Sequence, residues 1–181
     1  MPFKNAIEAI TTITKLKETD LKKVKVYGLE NDGIYKTEDR IFKIASSRKE
    51  FMAAQRLIGR DFKNVVKVYN ATECAIVSMF GNVWKSYIIE EERLYRKKNA
   101  LVFNDLDINS VSLDIHTRVP FYVHLLNGII ELASVGILHE DLHSLNVMTD
   151  LNDVPKIIDF GIIKLKKKYE PIKLSVKLEK G

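Results

Sequence analysis

Asp141, Asn146 and Asp159 each carry an oxygen that can grip a cation or take a proton, and they sit close together in the chain. Asp141 and Asn146 are five positions apart in the stretch HEDLHSLNVM, and Asp159 follows Asp141 by eighteen, at the end of KIID and just before Phe160-Gly161. Taken singly, an aspartate in such a stretch caps a turn more often than it does chemistry. Taken together the three gain meaning, because NVMTDLNDVPKIID reads as two short strands around an Asn-Asp turn. Pairing those strands brings Asn146 and Asp159 to one end of a hairpin. A few oxygen ligands of this kind suit Mg²⁺ when phosphate oxygens and water complete its shell.

The order and spacing resemble the catalytic loop and the Asp-Phe-Gly motif of the protein-kinase-like superfamily. The resemblance implies that Asp141 accepts or orients the proton of an attacking hydroxyl, and that Asn146 and Asp159 hold Mg²⁺ on the phosphates of ATP. It also asks for a lysine on the third strand, which RIFKIA supplies as Lys43, and for a carboxylate partner on the next helix. Glu50 is the one acidic residue between Lys43 and Asp61. Strand alternation alone would equally let Lys43 face solvent, and a first-turn Glu50 would equally serve the helix dipole.

For the nucleotide, the resemblance places Gly28 and Gly33 of YGLENDGIYK in the phosphate-covering loop. No G-x-G-x-x-G is present there, and Glu30 and Asp32 would have to point away, so a plain hairpin is the alternative. Adenine is expected against a hinge at Met79, Phe80 and Gly81, with Val26, Ile41 and Val147 as apolar walls.

Two departures shape the reading. Glu140 stands where ordinary protein kinases have arginine, and His143 stands where they have lysine, which is similar to the H-x-D-x-H-x-x-N loop of aminoglycoside and choline phosphotransferases. His143 is therefore counted with the catalytic residues. No Ala-Pro-Glu triplet follows, and the sequence stops about twenty residues after Asp-Phe-Gly. The implied protein is a minimal kinase, similar in economy to RIO kinases, the small kinase of the KEOPS complex or short bacteriophage-encoded kinases. The expected function is ATP- and Mg²⁺-dependent phosphotransfer to Ser or Thr of a protein. A small-molecule kinase and a kinase-fold binding module without transfer activity are the alternatives.

The elements that must position these groups are expected as follows. Ile7, Ile10, Ile13 and Leu16 recur at three-residue spacing and predict a short helix. VKVYG, IYK and RIFKIA predict three antiparallel strands, and SSRKEFMAAQRLIG predicts a helix capped by Ser46 or Ser47 and stopped by Gly59. VVKVYNA and CAIVSMF predict two more strands. Beyond Gly81 the spacing of Glu92 and Arg96 predicts a helix over VWKSYIIEEERLYRKKN, and RVPFYVHLLNGIIELASVG predicts a buried one. The fold class is α+β with two lobes. A β-rich N-lobe, residues 1–80, holds the N-terminal helix, a five-stranded sheet and one helix; a truncated helical C-lobe, residues 81–181, holds the two motifs and a basic tail.

Composition sets the outer bounds. A 46% hydrophobic content over 181 residues fills a real core. The net charge of +5 equals that of Lys164 to Gly181 alone, where seven Lys face two Glu, so the body is neutral and the tail is basic. Such a tail is either a solvated end or a contact for an acidic partner or nucleic acid. Cys74, the single cysteine, lies in an apolar run and reads as a core residue of a reducing compartment. With no signal peptide and no membrane-spanning run, the expected location is the cytoplasm, that of the host for a bacteriophage protein.

Overall fold

The structure is a computed structural model that describes residues 2–24, 33–78, 80–95 and 115–166. Its first element, α1 (Ala6–Thr14), starts where the Asn5 side chain accepts the Glu8 N–H at 2.9 Å. A short turn leads to β1 (Lys22–Lys23), β2 (Ile34–Lys36) and β3 (Arg40–Ala45), followed by α2 (Arg48–Leu57), β4 (Val68–Val77) and β5 (Val83–Glu92). The five strands form one antiparallel sheet in the order β1-β2-β3-β5-β4.

Alternation along the strands sorts side chains to two faces. Phe42, Ile44 and Ile88 point outward into a small core with Ile10, Tyr35 and Cys74, which α1 covers with its apolar stripe. Ala45, Tyr87 and Ile89 point the other way, against Ala53, Ala54 and Leu57 of α2. The Phe51 ring of α2 stacks on Tyr87 with centroids 4.5 Å apart. Each such large side chain taken fully out of water contributes about 1.5–3 kcal/mol.

The segment expected as a helix after Gly81 is a strand. Val83–Glu92 carries β-branched and aromatic residues on both faces, and it is hydrogen-bonded on both edges, to β3 and to β4. Glu92, whose spacing to Arg96 suggested a helix, pairs with Lys156 at 2.9 Å, and residues 96–99 of that expected helix lie outside the described residues. VVKVYNA and CAIVSMF, expected as two strands, give one, β4, while all but Val24 of the expected strand VKVYG lies outside the described residues. A boundary at residues 80 and 81 would cut the β4–β5 hairpin, whose tight turn contains Gly81 at φ +78. The sheet runs on to Glu92.

The rest comprises α3 (Ile115–Ser134), β6 (Ile137–His139), β7 (Val147–Thr149), β8 (Pro155–Ile157) and β9 (Ile163–Leu165). β7 and β8 form the expected hairpin, with Val147 opposite Ile157 and Asp153 at φ 63 in the turn. β6 and β9 pair around it, with His139 opposite Ile163. Helix α3 is buried on one stripe only: Leu125, Gly128 and Leu132 are buried, whereas Leu126 and Ile130 are both 59% exposed. The helix expected to be buried is thus buried along one face, with its other face exposed.

The loop between α2 and β4 joins the two halves. Val66 N–H donates to Ile157 O at 3.0 Å, and Ile157 N–H donates to Asn64 O at 2.9 Å. The Asn64 side-chain amide donates to Pro155 O at 2.9 Å, and Glu131 of α3 accepts the Lys63 and Asn64 N–H groups, both at 2.9 Å. Gly128 makes this approach feasible, since a Cβ there would lie 2.7 Å from Asn64 O and 2.9 Å from Ile157 Cδ1. The Gly128→Ala variant is expected to lose about 1–3 kcal/mol of stability, despite a gain of about 1 kcal/mol in helix propensity. Urea unfolding of the two proteins checks this, and equal midpoints would show that the loop can yield.

Candidate active site

Lys43 occupies the middle of β3 opposite Ile89, on the face that packs α2. Ser47 starts α2, accepting the Glu50 N–H at 3.3 Å, so Glu50 falls in the first turn with its carboxylate on the Lys43 ammonium. The same ammonium donates to Asp159 Oδ1 at 2.9 Å. Lys43 and Glu50 are largely shielded, at 21% and 8% side-chain exposure, whereas Asp159 at 45% opens toward solvent. The expected Lys43–Glu50 pair is present, and Asp159 completes a triangle.

Asp159 is held in an unusual backbone state. Its φ of 62 lies in the left-handed region, and the Gly161 N–H donates back to Oδ1 at 3.1 Å. Phe160 is 1% exposed, its ring edge-on to His139 with centroids 6.0 Å apart. That burial anchors the segment and leaves the aspartate turned toward Lys43.

The catalytic-loop residues gather at the adjacent hairpin end. Ile158 N–H donates to Asn146 O at 2.9 Å, which keeps Asn146 and Asp159 on one side. The Asn146 amide nitrogen donates to Asp141 O at 2.9 Å, and the His139 ring lies 3.1 Å from Ile158 O through Nε2. Nδ1 of the same ring accepts the Asp141 N–H at 3.4 Å. His139 thus ties the loop to the strand end, a role the sequence motif alone did not reveal. His143 accepts the Leu145 N–H on Nδ1, and its Nε2 lies 3.5 Å from Asp141 Oδ2 and 3.2 Å from the Asn146 amide nitrogen.

The remaining candidates divide. Ile41 lies on the inner face, opposite Glu91, and Val147 is buried at the start of β7. Gly33 extends the β2–β3 ladder, its carbonyl accepting the Ile44 N–H at 2.7 Å. Val26, Gly28 and Met79 lie outside the described residues. Phe80 and Gly81 do not belong to the site: they occupy the β4–β5 turn, roughly 26 Å along β5 from the residue level with Lys43 at about 3.3 Å per residue. The chain leaves the sheet near Lys43 only after Glu92, where Tyr95 exchanges hydrogen bonds with Thr149 at 2.8 and 2.9 Å.

Electrostatics bind the cluster and reveal a residue that the motifs did not flag, Glu91. Burial alone would push the Lys43 ammonium down, but Glu50, Glu91 and Asp159 together outweigh it and the net shift is upward. For Asp159 burial works to raise the carboxyl, yet Lys43 and the Gly161 N–H prevail and hold it below the usual range. Glu91 goes the other way: burial dominates, Lys43 opposes, and the charges of Glu50 and Asp159 add to burial, so it is pushed up to about 7. YIIEEE shows no apolar-polar alternation that would flag Glu91, which shares the Tyr87 and Ile89 face only because the run is a strand paired with β3.

The oxygen donors fit a divalent cation. Asn146 uses its amide nitrogen as donor, and among the described residues no hydrogen bond reaches its Oδ1 or Asp159 Oδ2. No group of three or more His, Cys, Asp or Glu among the described residues could hold an ion unaided. A cation here would need phosphate oxygens and water, which is the habit of Mg²⁺.

Glu91 generates a pH prediction. In the unfolded chain its value returns toward 4.5, so the folded state binds the proton more tightly between about 4.5 and 7. Its contribution to stability is therefore full below pH 4.5 and is lost as pH rises through 7. Glu91→Gln, neutral throughout, is expected to exceed the parent protein at pH 8 by on the order of 2 kcal/mol and to match it near pH 4.5. Urea unfolding at both values measures the difference, and a gap independent of pH would contradict it.

Comparison with known proteins agrees with this geometry. Residues 43–178 match the family described as protein tyrosine and serine/threonine kinase. A probable LIM domain-containing serine/threonine-protein kinase of Dictyostelium discoideum is 30% identical over 140 residues, which cover 71% of this chain and 13% of that protein. A second such protein of the same organism is 29% identical over 140 residues, covering 71% of this chain and 20% of its own length. The chain thus spans a fifth or less of these two relatives. Over three quarters of its length, from the lysine that holds the carboxylate triangle onward, the chain belongs to the protein tyrosine and serine/threonine kinase family.

Proposed function

We propose that the chain is an ATP-dependent phosphotransferase that acts on Ser or Thr hydroxyls of a protein. The observation that carries this is the convergence of Lys43, Glu50 and Asp159 with Asp141 and Asn146 at the neighbouring hairpin end. Lys43, held by Glu50, neutralises phosphate charge, and Asp141 takes up or orients the proton of the attacking hydroxyl. Asn146 and Asp159 are the residues that would hold Mg²⁺, which when bound supplies positive charge to the phosphates. Most of the rate then comes from positioning and preorganised charge. In this reading the nucleotide base sits where β5 leaves the sheet, near Glu91 to Leu94, with Ile41 and Val147 as walls.

His143 supports a second reading, a small-molecule kinase, because its Nε2 lies 3.5 Å from Asp141 Oδ2 in a loop without the usual lysine. The basic tail, a proposed contact for an acidic partner or nucleic acid, lies mostly outside the described residues.

Incubation of the purified protein with Mg²⁺ and γ-labelled ATP, alone and with cell lysate, tests the proposal beside Asp141→Asn and Asp159→Asn. Labelled proteins are expected, with a drop of about 100-fold or more in each variant. Label confined to small molecules would favour the second reading. Absence of both nucleotide binding and transfer would sink the two together.

A further inference from the structure

Arg56 lies on α2 six residues beyond Glu50 and takes no part in the chemistry described above. Its Nη1 lies 3.0 Å from Val135 O, 2.8 Å from Gly136 O and 2.8 Å from Lys166 O. Val135 and Gly136 directly follow α3, where helix carbonyls lack intrahelical partners, and Lys166 directly follows β9. Lys166 N–H donates in turn to Gly136 O at 2.8 Å, closing the joint. Gly136 is shaped for it: at φ +74, a Cβ there would stand 2.8 Å from Arg56 Nη1 and 2.8 Å from Lys166 O.

The elements joined at this point are those that carry the cluster. Glu50 sits on the first turn of α2, and Asp159 precedes β9 by four residues. The other contacts of α2 with the core come mainly from Ala53, Ala54 and Leu57, whose apolar packing fixes distance but not rotation or sliding. Directional hydrogen bonds from a charged donor supply what that packing lacks. We propose that Arg56 is a positioning residue, which locks α2 to the end of α3 and to β9 and so keeps Glu50 and Asp159 on Lys43 together. On this account the chain holds its charge triangle through a joint built into the fold. The inference rests on the phosphotransfer reading for its effect on rate, but the geometry of the triangle can be tested without it.

Two readouts on Arg56→Gln and Arg56→Lys decide, with Arg60→Gln at an exposed neighbouring position as control. The first is a carbodiimide cross-link that joins the Lys43 amine to the Glu50 carboxylate with loss of water, mapped by mass spectrometry. The second is transfer rate across ATP concentrations. Arg56→Gln is expected to cut the cross-link yield about threefold or more and kcat about 10- to 100-fold, with the KM for ATP changed less. Arg56→Lys, which keeps the charge but not the planar fork, is expected to fall between, and Arg60→Gln to match the parent protein. Parent-like cross-linking and kcat in both Arg56 variants would overturn the proposal. If Arg56→Gln does not fold, as judged by loss of a cooperative melt, Arg56→Lys decides on the same readouts. If the parent protein transfers no phosphate, the proposed activity fails, while the cross-link yields still decide the role of Arg56.

Discussion

The Lys43 ammonium is the point on which the arrangement depends. It is mostly shielded from water, and a cation in that position is tolerated only because carboxylates from two other elements surround it. Glu50 reaches it from α2 and Asp159 from the segment after β8, so the ion pair joins sheet, helix and loop at once. The same charge explains why neighbouring carboxyls shift in opposite directions. Asp159, in direct contact, is held ionised, while Glu91, more deeply set and facing two like charges, retains its proton to about 7.

Such a triangle needs a rigid frame, since a carboxylate displaced by an ångström would leave a buried charge without a partner. The frame comes from backbone hydrogen bonding where side chains alone would slide. The loop after α2 pairs with β8 through Asn64 and Val66, and α3 approaches that loop closely because Gly128 carries no side chain. In the last turn of α2 the Arg56 guanidinium collects three carbonyls. Both connections run between the half that carries Lys43 and the half that carries Asp141, Asn146 and Asp159.

Legibility in the sequence followed the strength of the local constraint. The loop HEDLHSLN and the triplet Asp-Phe-Gly were readable because the chemistry fixes residue type and interval together, leaving little room for accident. The β7–β8 hairpin and α2 were readable from turn and cap residues that act on their own neighbourhood. β5 was not, since a run of three glutamates followed by arginine favours a helix locally, and only pairing with β3 and β4 on both edges overrides that preference. Misplacing β5 moved the expected hinge to Gly81, and Phe80 and Gly81 with it, to the far end of the sheet.

What the sequence by itself determined is the inventory: a lysine on a strand, a glutamate in a first helical turn, and two aspartates and an asparagine at diagnostic spacing. These are short-range facts, set by residue type and by the periods of helix and strand. Tertiary structure alone decided which face of β5 meets the cluster, that Glu91 stands beside it and that Arg56 closes the joint behind it. Those outcomes depend on contacts between residues far apart in the chain, and in no local window does the free energy of such contacts appear.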